Sequence, residues 1–148
     1  MKTSLEQIKL YTTLWRETTS LYEDWAKRHG LSYYELLVIL SLSESEGICK
    51  QKDICRDWVL PKQTVNTILK HFMERSWVTL VPSEEDRRHK DILLTDAGNE
   101  FVQIAVNELQ AHECAVWNSL GQEKSRALIE ITALYNKLFK EADTDEPT

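Results

Sequence analysis

Asp86-Arg-Arg-His-Lys-Asp-Ile-Leu-Leu-Thr-Asp-Ala-Gly98 is the stretch that decides the fold. It reads as a basic hairpin tip, then a short apolar strand, then a helix capped by Thr95, whose hydroxyl can accept a hydrogen bond from a free first-turn amide. Asp96 stands at the positive end of that helix, where a carboxylate is favoured. Upstream, Pro61-Lys-Gln-Thr-Val-Asn-Thr-Ile68 reads as a helix start with a polar first turn. Two adjacent arginines on a hairpin tip, close in sequence to such a helix, suit a grip on a DNA duplex. Guanidinium groups neutralise phosphate, and a polar helix face can reach base edges. Nothing else in the sequence points to a chemistry.

Working outward, Ser4-Leu-Glu-Gln7 fits a capping box that opens a long helix with apolar residues at three- and four-residue steps from Ile8 to Trp25. His29-Gly30 is expected to end it. Ser32-Tyr-Tyr-Glu35 is a second capping box, opening a helix with Leu36, Leu37, Ile39 and Leu40 on its apolar face. Ile48-Cys49 can add a short strand. Lys50 to Trp58 reads as a short helix turning Ile54, Cys55 and Trp58 inward. Pro61, which lacks an amide hydrogen, fits the first position of the next helix. There Val65, Ile68, Leu69, Phe72 and Met73 form the inward stripe, leaving Lys62, Gln63, Thr64, Asn66, Thr67 and Lys70 outward. Two short helices so spaced, the second polar at its start, describe a helix-turn-helix.

Trp77 to Val81 and Asp91 to Leu94 then read as strands, with Pro82 to Lys90 as their tip. The helix from Thr95 carries a stripe through Phe101, Val102, Ala105, Leu109 and Val116. Leu120-Gly121 punctuates it, and a final helix from Gln122 to Ala142 aligns Leu128, Ile131, Leu134, Tyr135 and Leu138. Asp143 to Thr148 is acidic and expected to fray.

The fold class is therefore mainly α. It is a winged helix-turn-helix with a two-to-three-stranded wing, flanked by N- and C-terminal helices. The terminal stripes are too wide for one small core to cover, and each wet apolar side chain forgoes about 1.5–3 kcal/mol of burial. Residues 1–30 and 97–148 are thus expected to form a helical dimerisation region, with residues 31–96 as the DNA-binding head.

The 148 residues hold four glycines and three prolines, a scarcity of turn formers that suits long helices rather than a sandwich. The net charge of −6 looks wrong for a nucleic-acid binder until it is divided by region. Residues 1–49 carry −2, residues 50–90 carry +3, and residues 91–148 carry −7. Positive charge is confined to the third that holds the hairpin and the polar helix. No apolar run approaches the ~20 residues of a membrane span, so no membrane is expected. The start lacks the apolar core of a secretory signal. Three widely spaced cysteines favour the reduced thiols of a cytoplasm over a disulfide framework.

This order of elements resembles the MarR family of bacterial winged-helix transcription regulators over about residues 5 to 142. The family's wing pattern, Asp-x-Arg followed by Leu-Thr-x-x-Gly, is matched by Asp86, Arg88, Leu94, Thr95 and Gly98. Its recognition-helix pattern, Lys-Ser-Thr-Val-Thr-Arg, is matched in part by Lys62, Thr64 and Val65. The resemblance implies a homodimer that inserts one recognition helix per subunit into successive major grooves of double-stranded DNA, with wing arginines in the flanking minor grooves. Arg88 becomes the minor-groove reader and Asp86 the group that orients it. Gln63, Thr64 and Thr67 become base-edge or phosphate contacts, and Lys62 and Lys70 phosphate neutralisers. Asn66, Arg87 and Lys90 complete the expected DNA-binding set. Relatives often hold an aromatic small molecule where the dimer and DNA domains meet, which here singles out Trp15, Trp25, Tyr33 and Tyr34 for an effector pocket.

Departures from the family pattern carry consequences. Gln63, Asn66 and Thr67 replace serine, threonine and arginine, which implies a different operator, with adenine reading by Gln63 or Asn66. Glu84 and Glu85 stand where basic wing residues are common, which should weaken the wing's grip. Lys50 replaces a capping hydroxyl residue, and Ser76-Trp77 replaces a glycine-containing turn.

The function so implied is a sequence-specific regulator, a repressor on a palindromic operator, released by a small-molecule effector. The alternative is a helical dimeric protein-interaction module with a degenerate DNA-binding head. An enzyme is not expected, since there is no glycine-rich phosphate loop, no nucleophile–base pairing and no complete metal set. No cofactor or metal is expected: Glu108 and His112 share a helix face near Cys114, but a structural metal wants about four ligands. Cys55 reads as a core filler, and Cys49 is expected to be exposed.

Overall fold

In the computed structural model, which describes residues 1–142, the element order is α1 (Ser4–Arg28), α2 (Tyr33–Glu44), β1 (Cys49–Lys50), α3 (Gln51–Trp58), α4 (Lys62–Glu74), β2 (Val78–Pro82), β3 (Lys90–Leu94) and α5 (Asp96–Ala142). The fold is a mainly helical winged helix-turn-helix. Its residues form two compact units, Met1–Val106 and Asn107–Thr148. The expectation for Asp143 to Thr148 lies outside the described residues.

Local chemistry sets most boundaries. Thr3, not Ser4, caps α1: its hydroxyl accepts from the Glu6 amide, and the Glu6 carboxylate accepts from the Thr3 amide. Thr3-x-x-Glu6 and Ser4-x-x-Gln7 both satisfy the pattern, and the charged acceptor makes the stronger bond. The end of α1 is as expected, with Gly30 at φ +72° and the Leu31 amide donating back to the Ala26 carbonyl. Ser32 and Glu35 form their reciprocal box at the start of α2. Pro61 is the cap of α4 rather than its first helical residue, with ψ at 142° and its carbonyl accepting from the Val65 amide.

The head packs α2, α3 and α4 around Leu36, Val38, Ile39, Ile54, Val65, Leu69 and Phe72, all nearly inaccessible. Burying each such side chain stabilises the fold by about 1.5–3 kcal/mol. Met73, expected in this core, is exposed, because it stands one position past Phe72 on the helix and turns off the buried face.

The sheet has the order β1-β3-β2, antiparallel throughout. Its register pairs Cys49 with Ile92 and Leu80 with the same Ile92 from the other side. This pairing corrects the reading of Cys49, which is buried, and shifts the first strand by one residue from Ile48-Cys49. The hairpin strands likewise run one residue differently from expectation, leaving Ser83 to His89 as the tip.

Two residues other than glycine adopt positive φ: Val59 at 54°, closing α3, and Ser76 at 59°, between α4 and β2. A β-branched side chain is poorly suited to this conformation. The Trp77 amide closes the second turn by donating to the Phe72 carbonyl. Trp77 stacks on Phe101 with ring centroids 3.9 Å apart, and the Arg75 guanidinium lies 4.9 Å from the Trp77 ring centre.

The Leu-Thr-x-x-Gly pattern now has a physical cause. Thr95 accepts from the Gly98 amide at 3.0 Å and donates through its hydroxyl to the Ser76 carbonyl. Its own amide donates to the Trp77 carbonyl at 2.9 Å. A Cβ on Gly98 would stand 1.9 Å from that same Trp77 oxygen, so only glycine lets α5 start this close to the turn before β2.

Along α5, Val102, Ala105 and Leu109 are buried as expected, whereas Val116 is exposed. Gly121, at φ 81° and ψ 164°, breaks the helix at the expected punctuation. In the second unit, Leu128, Ile131, Leu134, Tyr135 and Leu138 are all about half exposed or more.

Candidate nucleic-acid interface

The wing tip is organised by one carboxylate. Asp86 Oδ1 accepts from the Arg88 amide at 3.0 Å and from Arg88 Nε at 3.1 Å, while Oδ2 accepts from Nη2 at 3.1 Å. The fork geometry of guanidinium on carboxylate fixes orientation as well as distance. The Arg88 side chain is nevertheless 89% exposed, so it is positioned without being used up. These hydrogen bonds from Arg88, side chain first and then backbone, hold the Asp86 carboxyl below its ordinary pKa. The His89 amide donates to the Asp86 carbonyl and the Ser83 amide to the His89 carbonyl, closing the tip.

Glu85 has a different role from the one its charge suggests. Its carboxylate accepts from Lys50 Nζ at 2.8 Å, across from the start of α3. That bond lowers the pKa of Glu85 and raises that of Lys50. Lys50 makes no side-chain cap on α3; it straps the wing to the head instead. The sequence distance between the two hides this pairing.

Between α3, the start of α4 and the wing lies a cleft of about 410 Å³ lined by Lys52, Lys62, Arg88 and Lys90, with Gln51, Cys55, Asn66 and His89. The geometry thus gathers Lys62, Asn66, Arg88 and Lys90 from the expected set. Gln63, Thr64, Thr67, Lys70 and Arg87 lie outside this lining. Of these, Gln63, Thr67, Lys70 and Arg87 are exposed and Thr64 is half-buried. Thr67 donates its hydroxyl proton to the Gln63 carbonyl at 3.0 Å, which leaves lone pairs and a methyl group outward.

Lys52 and Gln51 are the contributors that sequence reasoning missed. Lys52 was legible as one of two exposed cations of α3, with Arg56. Gln51 is buried, and its Nε2 donates to Asn66 Oδ1, joining the first turn of α3 to α4. Cys55 is half-buried, and desolvation pushes its thiol pKa up.

The aromatic residues singled out for an effector pocket are placed apart. Trp25 is buried and stacked on His29 at 3.8 Å. Tyr33 and Tyr34 form a tilted pair 5.9 Å apart at the start of α2. Trp15 is exposed, and ten residues of helix separate it from Trp25, ~15 Å along the axis. Among the described residues no cluster of three or more His, Cys, Asp or Glu could hold a metal ion, and no helix is long and apolar enough to cross a membrane.

Helix-turn-helix, three-stranded wing and a guanidinium on the wing tip define the class: a winged-helix protein with a cationic cleft beside its helix-turn-helix. The MarR family model matches residues 29–89, from the end of α1 to the wing tip. An uncharacterized HTH-type transcriptional regulator of Staphylococcus aureus is 25% identical over 145 residues, covering 96% of this chain and 99% of its own. Among solved structures, NMB1585, a MarR family regulator from Neisseria meningitidis, superposes with a TM-score of 0.75 at 24% identity, covering 98% of this chain and 100% of its own. Overoxidized AbfR bound to DNA superposes with a TM-score of 0.61 at 24% identity, covering 92% and 99%. Over residues 29–89 the chain thus resembles the MarR family, and over nearly its whole length it shares the fold of solved MarR family regulators.

Proposed function

We propose that the chain acts as a homodimeric repressor that occupies a palindromic operator, with α4 as recognition helix and the hairpin tip in the minor groove. The observation that carries this reading is the Asp86 fork, which holds an exposed guanidinium on the same cleft as Lys62 and Asn66. A narrow minor groove concentrates negative potential and attracts such a group, so Arg88 reads groove shape more than base identity. Lys62, Lys70, Arg87 and Lys90 neutralise phosphates, while Gln63, Thr64, Asn66 and Thr67 meet base edges or backbone. Asp86 acts by holding Arg88.

A second copy of the chain is supported by apolar side chains left exposed at helical spacing. In the first unit these are Leu5, Ile8, Leu14 and Trp15 of α1, and in the second they are Leu128, Ile131, Leu134 and Leu138 of α5. Pairing brings two recognition helices to successive major grooves, ~34 Å apart. A ligand that alters this spacing by a few ångströms would unseat one head. That is the release step we assign to an effector, with Tyr33 and Tyr34 as its aromatic contact.

Arg88→Ala tests the reading directly. Its affinity for a selected operator, measured by fluorescence anisotropy, should fall at least tenfold while the melting temperature stays unchanged. Wild-type affinity should also fall steeply with salt, since each neutralised phosphate contributes about −0.9 to the log–log slope. Unchanged affinity in Arg88→Ala, or a flat salt dependence, removes the proposal.

A further inference from the structure

We propose that Glu85, an acidic residue on the wing tip, strengthens operator binding instead of opposing it, because its bond to Lys50 fixes where the wing carries Arg88. The inference rests on the DNA-reading role of α4 and the wing given above. Charge alone argues the other way. A carboxylate set near phosphates repels them, and for that reason Glu85 reads in the sequence as a weakness of the wing.

Two linked contacts set position against charge. Within the tip, Asp86 grips Arg88 with both oxygens, and the backbone closes from the Ser83 amide to the His89 carbonyl. Those bonds fix Arg88 relative to the tip only, and the tip itself is carried at the end of β2 and β3. Glu85, next in chain to Asp86, ties the tip to the head: its carboxylate accepts from Lys50 Nζ at 2.8 Å.

Lys50 is the firmer partner. Its backbone stands at the start of α3 and is paired with Asp91 in the β1–β3 register. Its side chain is 26% exposed, against 80% for Glu85. Asp91 is 8% exposed, and among the described residues its Oδ1 accepts no hydrogen bond. The Lys50 ammonium is drawn to that buried carboxylate and supplies the opposite charge it needs.

The contacts thus run from α3 through Lys50, Glu85 and Asp86 to the Arg88 guanidinium, and α3 packs with α4 in the head. Glu85 and Lys50 are positioning residues in this reading: neither needs to touch DNA. Without the strap, Arg88 occupies its competent place only part of the time, and affinity falls by that fraction. An exposed ion pair biases such a population by about two- to fivefold, which bounds the loss.

The test titrates the full-length protein, by fluorescence anisotropy, onto an operator selected from a randomised pool and onto a scrambled duplex of equal length. Glu85→Ala removes a negative charge and so acts on both duplexes alike, because the phosphate term is independent of sequence. The ratio of the two affinities therefore separates position from charge. It should fall about two- to fivefold, although binding to the scrambled duplex tightens. Glu85→Asp keeps the charge and shortens the arm by one methylene, so the ratio should fall with no change on the scrambled duplex. Both variants leave Lys50 beside Asp91, and the melting temperature should not move.

Arg88→Ala supplies the control for the route. If Glu85 acts through Arg88, Glu85→Ala adds no further loss in that background. In the free protein, the backbone heteronuclear NOE of the Arg88 amide should drop in Glu85→Ala, which reports the released tip. A ratio unchanged or raised in either Glu85 variant, an unchanged NOE, or a loss that persists in full with Arg88→Ala overturns the inference while leaving DNA binding intact. A wild type that prefers no duplex over any other instead removes the DNA-reading role itself, and this inference with it.

Discussion

Replacing Gly98 with alanine should destabilise the protein, although alanine is the better helix former by about 1 kcal/mol. Gly98 lies in the first turn of α5, and an added Cβ would stand 1.9 Å from the Trp77 carbonyl oxygen and 2.7 Å from its carbon. Contacts under 3.0 Å are essentially never seen for real Cβ atoms, so helix and turn must separate by about 1 Å. Both elements are backbone, and no flexible side chain can absorb the movement. The separation strains the two bonds that cross the junction, from the Thr95 amide to Trp77 and from the Thr95 hydroxyl to Ser76. Each is worth about 1 kcal/mol, and overpacking adds roughly 1–3 kcal/mol. After the propensity gain is offset, the net loss is about 2–4 kcal/mol, or a fall in melting temperature of about 5–15 °C for a chain of this size. The assay is a thermal melt followed by circular dichroism, with both proteins at equal concentration because oligomer stability depends on it. A variant that melts at or above the wild type would refute the steric account.

Val59→Gly should have the opposite sign: the φ of 54° strains a β-branched residue, and the side chain is 87% exposed, so about 0.5–1 kcal/mol is gained with no burial lost. A melt that shows no rise counts against strain at this turn. The pKa of Asp86 is depressed by its bonds to Arg88, so the fork is complete above the ordinary aspartate value of about 3.9 and opens as pH falls through the lower folded value. The Arg88 Nε–H resonance, followed by NMR, should therefore titrate with a midpoint below 3.9, and a midpoint at or above it would contradict the fork. Burial raises the pKa of the Cys49 thiol, and Cys114 is exposed. Ellman's reagent should label Cys114 quickly in the native protein and Cys49 only after denaturant is added; equal rates would mean that β1 does not hold.

Much of the fold was legible because its signals are local. Ser32 and Glu35, Gly30, Gly121 and the apolar stripe of α4 up to Phe72 each act within a turn or two of chain, and each appears where its chemistry places it. The Asp86–Arg88 fork is equally local, spanning two residues. What escaped depends on partners far away in sequence. Cys49 is buried because β3 pairs against it, Glu85 is neutralised by Lys50, and Asn66 meets Gln51 across the α3–α4 junction. The sequence also marked Gly98 without giving its reason, since the carbonyl that forbids a side chain there belongs to Trp77. Thr3 and Ser4 illustrate a different limit: two overlapping boxes compete for one helix start, and acceptor strength rather than pattern selects between them.

The central strand β3 pairs on one edge with β1, which leads directly into α3, and on the other with β2, which follows α4. In the proposed complex, the wing in the minor groove and α4 in the major groove are consequently two prongs of one gauge. Such a gauge tolerates base changes one at a time but not a change of interval. An operator lengthened by a single base pair between the two groove contacts would forfeit both together, so insertions should be far more damaging than substitutions at the same place.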